Sequence, residues 1–259
     1  LQAMIRGTEK KALPHLLCVT NLLLHDIEDP KVTHGNSLAK TLVSYGPADR
    51  VDCVLTNPPF GGIEEDGIEL NFPSKYQTRE TADLFMALIL RLLKPGGRAA
   101  VVLPDGFLFG EGVKTRLKED LLAKCDLHTI VRLPNGVFAP YTDINTNLLF
   151  FTKGEPTTHV WYVEHPLPKS YKKYTKTRPI RFKEFAYLKA WWTDRKPTDF
   201  AWKVDVGDLI ARDGNLDLNH PSTEEPEDTR STEDILVDLD RSNQRVADAL
   251  AQLRAALHG

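Results

Sequence analysis

The fold of this chain is decided at residues 51–60, which read VDCVLTNPPF. The first six residues, Val51 to Thr56, are mostly apolar and favour extended backbone, a pattern typical of a buried strand. Two prolines follow Asn57, and they end the strand because proline fixes φ and lacks the amide hydrogen that a sheet ladder needs. We therefore expect a central strand, buried on both faces, that ends at Asn57.

Helical and extended patterns alternate around this strand. Apolar residues recur at three- and four-residue steps from Leu13 to Ile27, which indicates a helix with one buried face. Downstream, the sequence predicts helices at 82–93 and 112–124 and strands at 98–104, 127–133 and 146–152. Such alternation is typical of an open α/β sheet.

The composition restricts the class of protein. The 259 residues are 41% hydrophobic and 27% charged, which is ordinary for a globular protein with a substantial core. No apolar run approaches the roughly 18 residues of a membrane-spanning helix, and no signal peptide opens the chain, so we expect a cytoplasmic protein with no membrane partner. Cys18, Cys53 and Cys125 lack the spacing of zinc ligands, and we expect no metal ion.

Residues 57–60 carry groups suited to chemistry on an aromatic amine. The exocyclic amine of adenine is a poor nucleophile because its lone pair is delocalised into the ring. The side-chain carbonyl of Asn57 and the backbone carbonyl of Pro58 can accept both amino hydrogens and draw the nitrogen toward tetrahedral geometry. Pro59 adds rigidity, and Phe60 offers a face on which a base stacks with about 1–3 kcal/mol. The alternative interpretation is a strand-terminating turn without a catalytic role.

The character of the sequence changes after residue 153. Residues 161–181 mix aromatics, prolines and six lysines or arginines without periodicity, and residues 221–228 are acidic and rich in helix breakers. Residues 231–234 are similar to a capping box at the start of a long helix with one apolar stripe. We therefore expect a catalytic domain at 1–155, an irregular α+β extension at 156–220, a linker at 221–230 and a C-terminal docking helix at 231–259.

Several motifs together resemble one protein family. An Asn-Pro-Pro-aromatic tetrapeptide after an Asp-containing strand is similar to that of S-adenosylmethionine-dependent amino methyltransferases acting on DNA. Further motifs resemble the modification subunit of type I restriction-modification systems: GTE at 7–9, LLLH at 22–25, GNSL at 35–38, DLF at 83–85, LKPGGRAAVVLP at 93–104, IVRLP at 130–134, GVF at 136–138 and TNLLFF at 146–151. The resemblance implies a Rossmann-like open sheet and transfer of a methyl group from S-adenosylmethionine to N6 of adenine.

The resemblance also implies residues that bind the cofactor. Glu9 would end a strand and hold the ribose hydroxyls, because a carboxylate accepts two hydroxyl hydrogens. Asn36 and Ser37 would lie near the cofactor adenine, although Asn36 also fits a simple turn. Asp83 and Phe85 would line the cofactor pocket, and Phe85 fits the core equally well.

The substrate base has two implied contacts. The target adenine must leave the duplex before its amino group is accessible. By resemblance, Phe138 would face this flipped base together with Phe60. The alternative for Phe138 is a place in the core.

One departure from the family concerns the cofactor site. The glycine-rich loop that follows the first strand in this family is absent, and Gly110 to Gly112 form a turn in another place. In the resembling fold the first strand lies between the second and the fourth, so its absence leaves unpaired backbone on both neighbours. We expect that the natural protein extends upstream and that this chain alone binds the cofactor poorly.

The expected partners follow from charge and from the resemblance. A net charge of −3 indicates that another subunit supplies part of the grip on DNA. The resemblance implies a specificity subunit bound through the C-terminal helix, a second modification subunit and a restriction subunit. Two alternatives stay open: a methyltransferase for protein glutamine or an RNA base, and a non-catalytic assembly fragment.

Overall fold

The computed structural model describes residues 4–222 and 231–258. The α-helices are α1 Ala12–Leu24, α2 Thr81–Leu92, α3 Asp105–Phe109, α4 Val113–Lys124, α5 Ala186–Thr193, α6 Val206–Ile210 and α7 Thr232–His258. The strands are β1 Arg6–Glu9, β2 Lys31–His34, β3 Val51–Thr56, β4 Leu93–Pro104, β5 Cys125–Arg132, β6 Thr146–Lys153, β7 His159–Glu164 and β8 Ala201–Asp205. Short 3-10 turns lie at Leu42–Ser44, Pro47–Asp49, Ile68–Asn71, Ser74–Tyr76 and Phe182–Phe185. The chain forms two compact units, Leu1–His220 and Pro221–Gly259.

Six strands form the main sheet of the first unit, in the order β3-β4-β6-β5-β7-β8. The pairs β3–β4 and β5–β7 are parallel, whereas β6 is antiparallel to both β4 and β5, and β8 is antiparallel to β7. The mixed α/β sheet confirms the predicted fold class. The sheet continues past residue 155, because β7 and β8 extend it. The division at residues 155 and 156 stays a prediction.

The strand directions bring several loops to one edge of this sheet. Strands β3, β4, β5 and β7 all run the same way, so their carboxyl ends meet there. The connection from β5 to β6 and the connection from β7 to β8 therefore start and finish at that edge. We call it the carboxyl edge, and it is where open α/β sheets bind their ligands.

The prediction that residues 51–56 form a central, doubly buried strand is wrong in its placement. The strand exists as β3, but it is the outermost strand of the six, and Leu55 is 84% exposed. Only β4 pairs with it in the described residues, so its apolar side chains lack the neighbours that their composition suits.

A second, two-stranded sheet consists of the parallel strands β1 and β2. Helix α1 packs on it, and Nε2 of His15 lies 3.0 Å from the carbonyl oxygen of Val32. The predicted helix is confirmed, but its buried face is not, because Leu13 is 65% exposed and Leu24 is 77% exposed. Two short strands are too small to cover the apolar stripe of α1.

The core lies where α2 and α4 pack on the main sheet. Most residues of α2 are buried, and Leu84 and Met86 are fully so. Leu117 and Leu121 of α4 join the same cluster. Burying each such side chain stabilises the fold by about 1.5–3 kcal/mol. The helix α2 and the strands β3 and β4 are thereby fixed relative to one another.

The second unit contains α7. The predicted capping box is present: the backbone nitrogen of Asp234 donates to Oγ of Ser231 over 3.1 Å, and the carboxylate of Asp234 accepts from the backbone nitrogen of Ser231 over 3.1 Å. The carboxylate accepts hydrogen bonds from Ser231, which lowers the pKa of Asp234. Leu236, Leu239 and Val246 on this helix are exposed. Among the described residues, no helix combines the length and the apolar character needed to cross a bilayer.

Candidate active site

The tetrapeptide at residues 57–60 lies at the carboxyl edge, directly after β3. Asn57 is exposed, Pro58 is buried, Pro59 is exposed and Phe60 is partly buried. The buried proline fixes the backbone while the asparagine side chain points into accessible space. This arrangement keeps the Asn57 amide available to a ligand.

The turn after Phe60 is fastened to the start of α2. The backbone nitrogen of Thr81 donates to the carbonyl of Gly62 over 2.9 Å, and that of Glu64 donates to the carbonyl of Arg79, also over 2.9 Å. A Cβ on Gly62 would lie 3.0 Å from Oγ1 of Thr81, so the glycine allows the close approach. The loop therefore has its position set by the buried helix α2.

Phe60 and Phe138 meet across the carboxyl edge. Their ring centroids are 5.1 Å apart with an interplanar angle of 75°, an edge-to-face contact. Phe138 comes from the loop between β5 and β6, in which the backbone nitrogen of Ala139 donates to the carbonyl of Gly136 over 3.0 Å. The structure thus brings together the two aromatic residues that were predicted to contact a flipped base.

The predicted ribose ligand, Glu9, is the last residue of β1, as expected. Its Oε1 accepts a hydrogen bond from the backbone nitrogen of Lys11 over 2.8 Å. The carboxylate is partly exposed and has further lone pairs that can accept hydroxyl hydrogens. The residues at this strand end therefore fit a ribose of the implied cofactor.

Asn36 and Ser37 lie in the loop after β2, beside Glu9. The backbone nitrogen of Gly35 donates to the carbonyl of Glu9 over 3.0 Å and joins the two strand ends. Oδ1 of Asn36 accepts from the backbone nitrogen of Leu38 over 2.9 Å, the turn contact considered as the alternative for this residue. The backbone carbonyl of Ser37 accepts from the hydroxyl of Tyr45 over 2.7 Å. The Asn36 side chain thus shapes the loop, and its role toward the cofactor adenine stays a prediction.

Glu64 connects these two regions and was not singled out from the sequence. It is 8% exposed, and its Oε2 accepts from Lys10 and from Asn36, each over 3.2 Å. Its Oε1 accepts from the hydroxyl of Thr81 over 3.3 Å. One carboxylate therefore joins the end of β1, the loop after β2 and the start of α2. In the sequence Glu64 is one of three consecutive acids, and no local signal distinguishes it from Glu65.

Asp83 lies in a different place from Glu9 and Asn36. It is 1% exposed and lines a cavity of about 190 Å³ together with Gly61, Gly62 and Lys114. Its Oδ2 is 3.0 Å from Nζ of Lys114, while its Oδ1 has no hydrogen-bond partner among the described residues. Glu9 and Asn36 do not line this cavity. The structure thus places Asp83 next to residues 57–62, the candidate catalytic loop, and Phe85 packs partly buried against the main core.

The charges around Asp83 are coupled. Burial raises the pKa of Asp83, and the nearby Lys114 opposes this only in part. Burial lowers the pKa of Lys114, but its hydrogen bonds to Glu80 and Asp83 outweigh burial and raise it. Burial lowers the pKa of Lys118 to about 8, with the ammonium of Lys114 contributing. Lys118 nevertheless donates to the carbonyls of Leu108 and Gly110, over 2.7 and 3.0 Å.

Comparison with known proteins gives a consistent result. The sequence profile of the N-6 DNA Methylase family matches residues 1–230. The methylase subunit of the type I restriction enzyme EcoEI from Escherichia coli is 58% identical over 229 residues, covering 85% of this chain and 46% of that protein.

Solved structures of type I restriction-modification proteins are also similar to this chain. The crystal structure of a modification subunit of a putative type I restriction enzyme from Vibrio vulnificus YJ016 matches with a TM-score of 0.76 and 51% identity, over 79% of this chain and 44% of that chain. A structure that describes complex assembly and conformational transition of a type I restriction-modification system matches with a TM-score of 0.79 and 34% identity, over 97% of this chain and 54% of the other. The chain thus spans about half the length of the relatives that it matches.

Proposed function

The chain belongs to the N-6 DNA methylase family, and from that premise we propose that it is the catalytic part of a type I restriction-modification methylase subunit. Its reaction is the transfer of a methyl group to N6 of adenine in DNA. The observation that carries this proposal is the tetrapeptide at the carboxyl edge, with Asn57 exposed, Pro58 buried and Phe60 beside Phe138. A turn whose only role is to end a strand does not require a solvent-facing amide next to two facing aromatic rings.

The chain's own residues act on the amine. The side-chain carbonyl of Asn57 and the backbone carbonyl of Pro58 accept its two hydrogens, which concentrates the nitrogen lone pair and prepares it for attack. Phe60 stacks on the flipped adenine. Phe138, whose ring contacts the ring of Phe60 edge-to-face, supports Phe60 in this position. Pro58 and Pro59 hold these groups in one geometry, because each fixes its φ.

The cofactor of this reaction is S-adenosylmethionine, which supplies an electrophilic methyl group when it is bound. Glu9 would accept hydrogen bonds from its ribose, and the loop of Asn36 and Ser37 would border its adenine. Asp83 and Phe85 would line the cofactor pocket, and Asp83 does so from the cavity that it shares with Gly61 and Gly62. Glu64 holds these parts together, because its carboxylate accepts hydrogen bonds from Lys10 and Asn36 on one side and from Thr81 of α2 on the other.

The cofactor site needs one more strand. Within the described residues, β1 pairs only with β2, and β3 pairs only with β4, so each has an edge without a partner. We infer that a parallel strand from outside the described residues lies between them and carries the glycine-rich loop. The apolar faces of β3 and α1 are exposed here because this strand, which would cover them, is missing from the described residues. Isothermal titration with S-adenosylmethionine should show weak or no binding to this chain and micromolar binding to a version extended upstream.

The partners of the enzyme are DNA, a specificity subunit, a second modification subunit and a restriction subunit, and its place of action is the cytoplasm. The exposed leucines of α7, Leu236 and Leu239 among them, favour helix-to-helix docking on the specificity subunit. Deletion of residues 231–259 should release that subunit in size-exclusion chromatography. An intact complex after the deletion contradicts the docking role.

The direct test of the reaction identifies its product. The intact protein and its specificity subunit are incubated with unmethylated plasmid DNA and S-adenosylmethionine, and the DNA is digested to nucleosides for mass spectrometry. N6-methyladenine is the expected product. Methylated cytosine, or methylation of protein or RNA in place of DNA, contradicts the proposal.

A further inference from the structure

The connection between β7 and β8 contains a strongly basic segment that the proposed chemistry does not use. Residues 166–181 read PLPKSYKKYTKTRPIR and contain six lysines or arginines and no aspartate or glutamate. The whole chain has a net charge of −3, so this segment is a local exception. Lys169, Lys172, Lys173, Lys176, Arg178 and Arg181 are all exposed. We call residues 169–181 the basic segment.

The basic segment lies at the carboxyl edge for a topological reason. It follows β7, whose carboxyl end is at that edge, and the chain returns through α5 to the start of β8 at the same edge. The catalytic loop and the loop that carries Phe138 lie there too. The sheet thus places a cationic surface beside the candidate active site.

Direct contacts hold the segment against the Phe138 loop. The backbone nitrogen of Tyr174 donates to the carbonyl of Asn135 over 3.0 Å. Gly136 packs so closely that a Cβ there would lie 2.1 Å from the carbonyl oxygen of Tyr174. Lys173 and Asp143, which belongs to the same loop as Phe138, form an ion pair of 3.2 Å. The segment is therefore attached within three residues of Phe138.

A buried polar cluster anchors the basic segment at Tyr174. Tyr174 is fully buried, and its hydroxyl donates to Glu184 over 2.5 Å and lies 3.4 Å from Nε2 of His165. His165 in turn contacts the hydroxyl of Tyr187 over 2.9 Å. Because Tyr174 is held in this way, the cations on either side of it are presented from a fixed backbone.

The outer surface of the segment is a shallow concavity suited to phosphate. It has a volume of about 380 Å³ and is lined by Ser170, Tyr171, Lys172, Lys173, Thr175, Thr177 and Arg178. Hydroxyl, ammonium and guanidinium groups are the ones that bind the oxygens of a nucleic-acid backbone. Among the described residues, Lys172 and Lys176 have no carboxylate within ion-pair distance, so their charge is available to an anion.

From these observations we propose that the basic segment binds the phosphodiester backbone of DNA next to the flipped adenine. The inference rests on the proposed function for its choice of nucleic acid. Phosphate contacts position a protein on the duplex without reading sequence. The segment would hold the strand that flanks the target while Phe60 and Phe138 receive the base.

The test measures how DNA affinity depends on salt. The intact protein with its specificity subunit is titrated into a fluorescein-labelled 30-base-pair duplex of arbitrary sequence, by fluorescence anisotropy, between 50 and 200 mM salt. The variant replaces Lys172, Lys176 and Arg178 by Ala and leaves the ion pair of Lys173 with Asp143 intact. Each lost phosphate contact reduces the slope of log K against log salt by about 0.9, so the triple variant should lose about 2–3 in slope and bind at least tenfold more weakly at 100 mM salt.

Two further variants give the test its controls. A triple Ala variant of Arg98, Lys203 and Arg212, which are exposed cations away from the carboxyl edge, removes the same charge and should keep the wild-type slope. Exchange of Lys172 and Lys176 for Arg keeps the charge and should also keep the slope. An equal loss of slope in the control and in the basic-segment variant overturns the proposal, since net charge alone would then explain it.

Activity separates this inference from the proposed function. In methylation assays on plasmid DNA the basic-segment variant should show a raised KM for DNA, with kcat and cofactor affinity within threefold of wild type. If the wild type transfers methyl groups and the variant has an unchanged slope and KM, the phosphate role is wrong while the function stands. If the wild type transfers none but the slope falls as expected, the phosphate role stands alone. Loss of the specificity subunit from the variant with an unchanged slope identifies a protein-docking surface and also overturns the proposal.

Discussion

Replacing Gly136 by Ala should be among the most destabilising single-methyl changes in this chain. Gly136 has φ +83°, and its missing Cβ would lie 2.1 Å from the carbonyl oxygen of Tyr174, where ordinary contacts begin near 3.4 Å. The positive φ costs an alanine about 1–2 kcal/mol. Relief of the collision needs a backbone shift of more than 1 Å, with an overpacking cost of about 1–3 kcal/mol and loss of the hydrogen bond from Tyr174 to Asn135, about 1 kcal/mol. The sum is about 3–6 kcal/mol.

The matched control is Gly96→Ala. Gly96 has φ +75° and nothing within 4 Å of its missing Cβ, so this variant carries the φ cost without the collision. Urea unfolding of both variants against wild type should give about 1–2 kcal/mol for Gly96→Ala and at least 2 kcal/mol more for Gly136→Ala. Equal losses in the two variants refute the claim that the Phe138 loop and the basic segment are locked together at Gly136.

Three further changes test other parts of the site. Glu64→Gln turns one of the two acceptor oxygens into an NH2 donor, so either the bonds from Lys10 and Asn36 or the bond from Thr81 is lost. It should lower the free energy of unfolding by about 1–3 kcal/mol and weaken cofactor binding to the intact protein in isothermal titration, whereas Glu65→Gln, on an exposed side chain, should do neither. Burial lowers the pKa of Lys118 from 10.5 to about 8, so the unfolded chain binds more protons at Lys118 between these values, and this residue makes the free energy of unfolding rise with pH across the window. The free energy of unfolding of wild type relative to Lys118→Met should therefore increase from pH 8 to 10.5 in urea unfolding; parallel pH profiles contradict this. Phe60→Ala should lower kcat/KM on duplex DNA about 5- to 150-fold, the loss of about 1–3 kcal/mol of stacking, and Phe60→Tyr should retain most activity; unchanged kinetics in Phe60→Ala count against stacking.

Much of the fold was predictable because its elements have strong local patterns. The period of residues 82–93 and the Pro-Gly-Gly after it predict a helix that ends at its actual boundary, Leu92, within one residue. The placement of β3 was not predictable in this way. Its apolar composition predicts a strand that is buried on both faces, whereas β3 is an edge strand of the described sheet and Leu55 is exposed. Composition indicates which surroundings a strand suits, but it does not say where in the sheet the strand lies.

In the candidate site, too, residues with a local sequence pattern were predictable and residues defined by long-range contacts were not. The positions of Asn57, Phe60 and Glu9 at or just after strand ends were predictable because each belongs to a motif with a mechanical reason for its residue type, and their chemical roles stay predictions. Glu64 was not, because its importance comes from three partners that lie 17 to 54 residues away in the sequence. Asp83 was assigned to the cofactor pocket, but only the fold could place it in a cavity with Lys114 and Gly61. Long-range contacts of single polar side chains leave no periodic signal.

The most direct test of the account measures single-turnover methyl transfer by Asn57→Ala and Asn57→Asp in the intact protein. In the proposed mechanism the carbonyls of Asn57 and Pro58 hold the amino hydrogens in the transition state. Asn57→Ala should therefore lower the rate of the chemical step at least 10²- to 10³-fold, with the cofactor Kd within threefold of wild type, while Asn57→Asp, which keeps an acceptor oxygen, should lose less. A rate within threefold of wild type for Asn57→Ala contradicts the account.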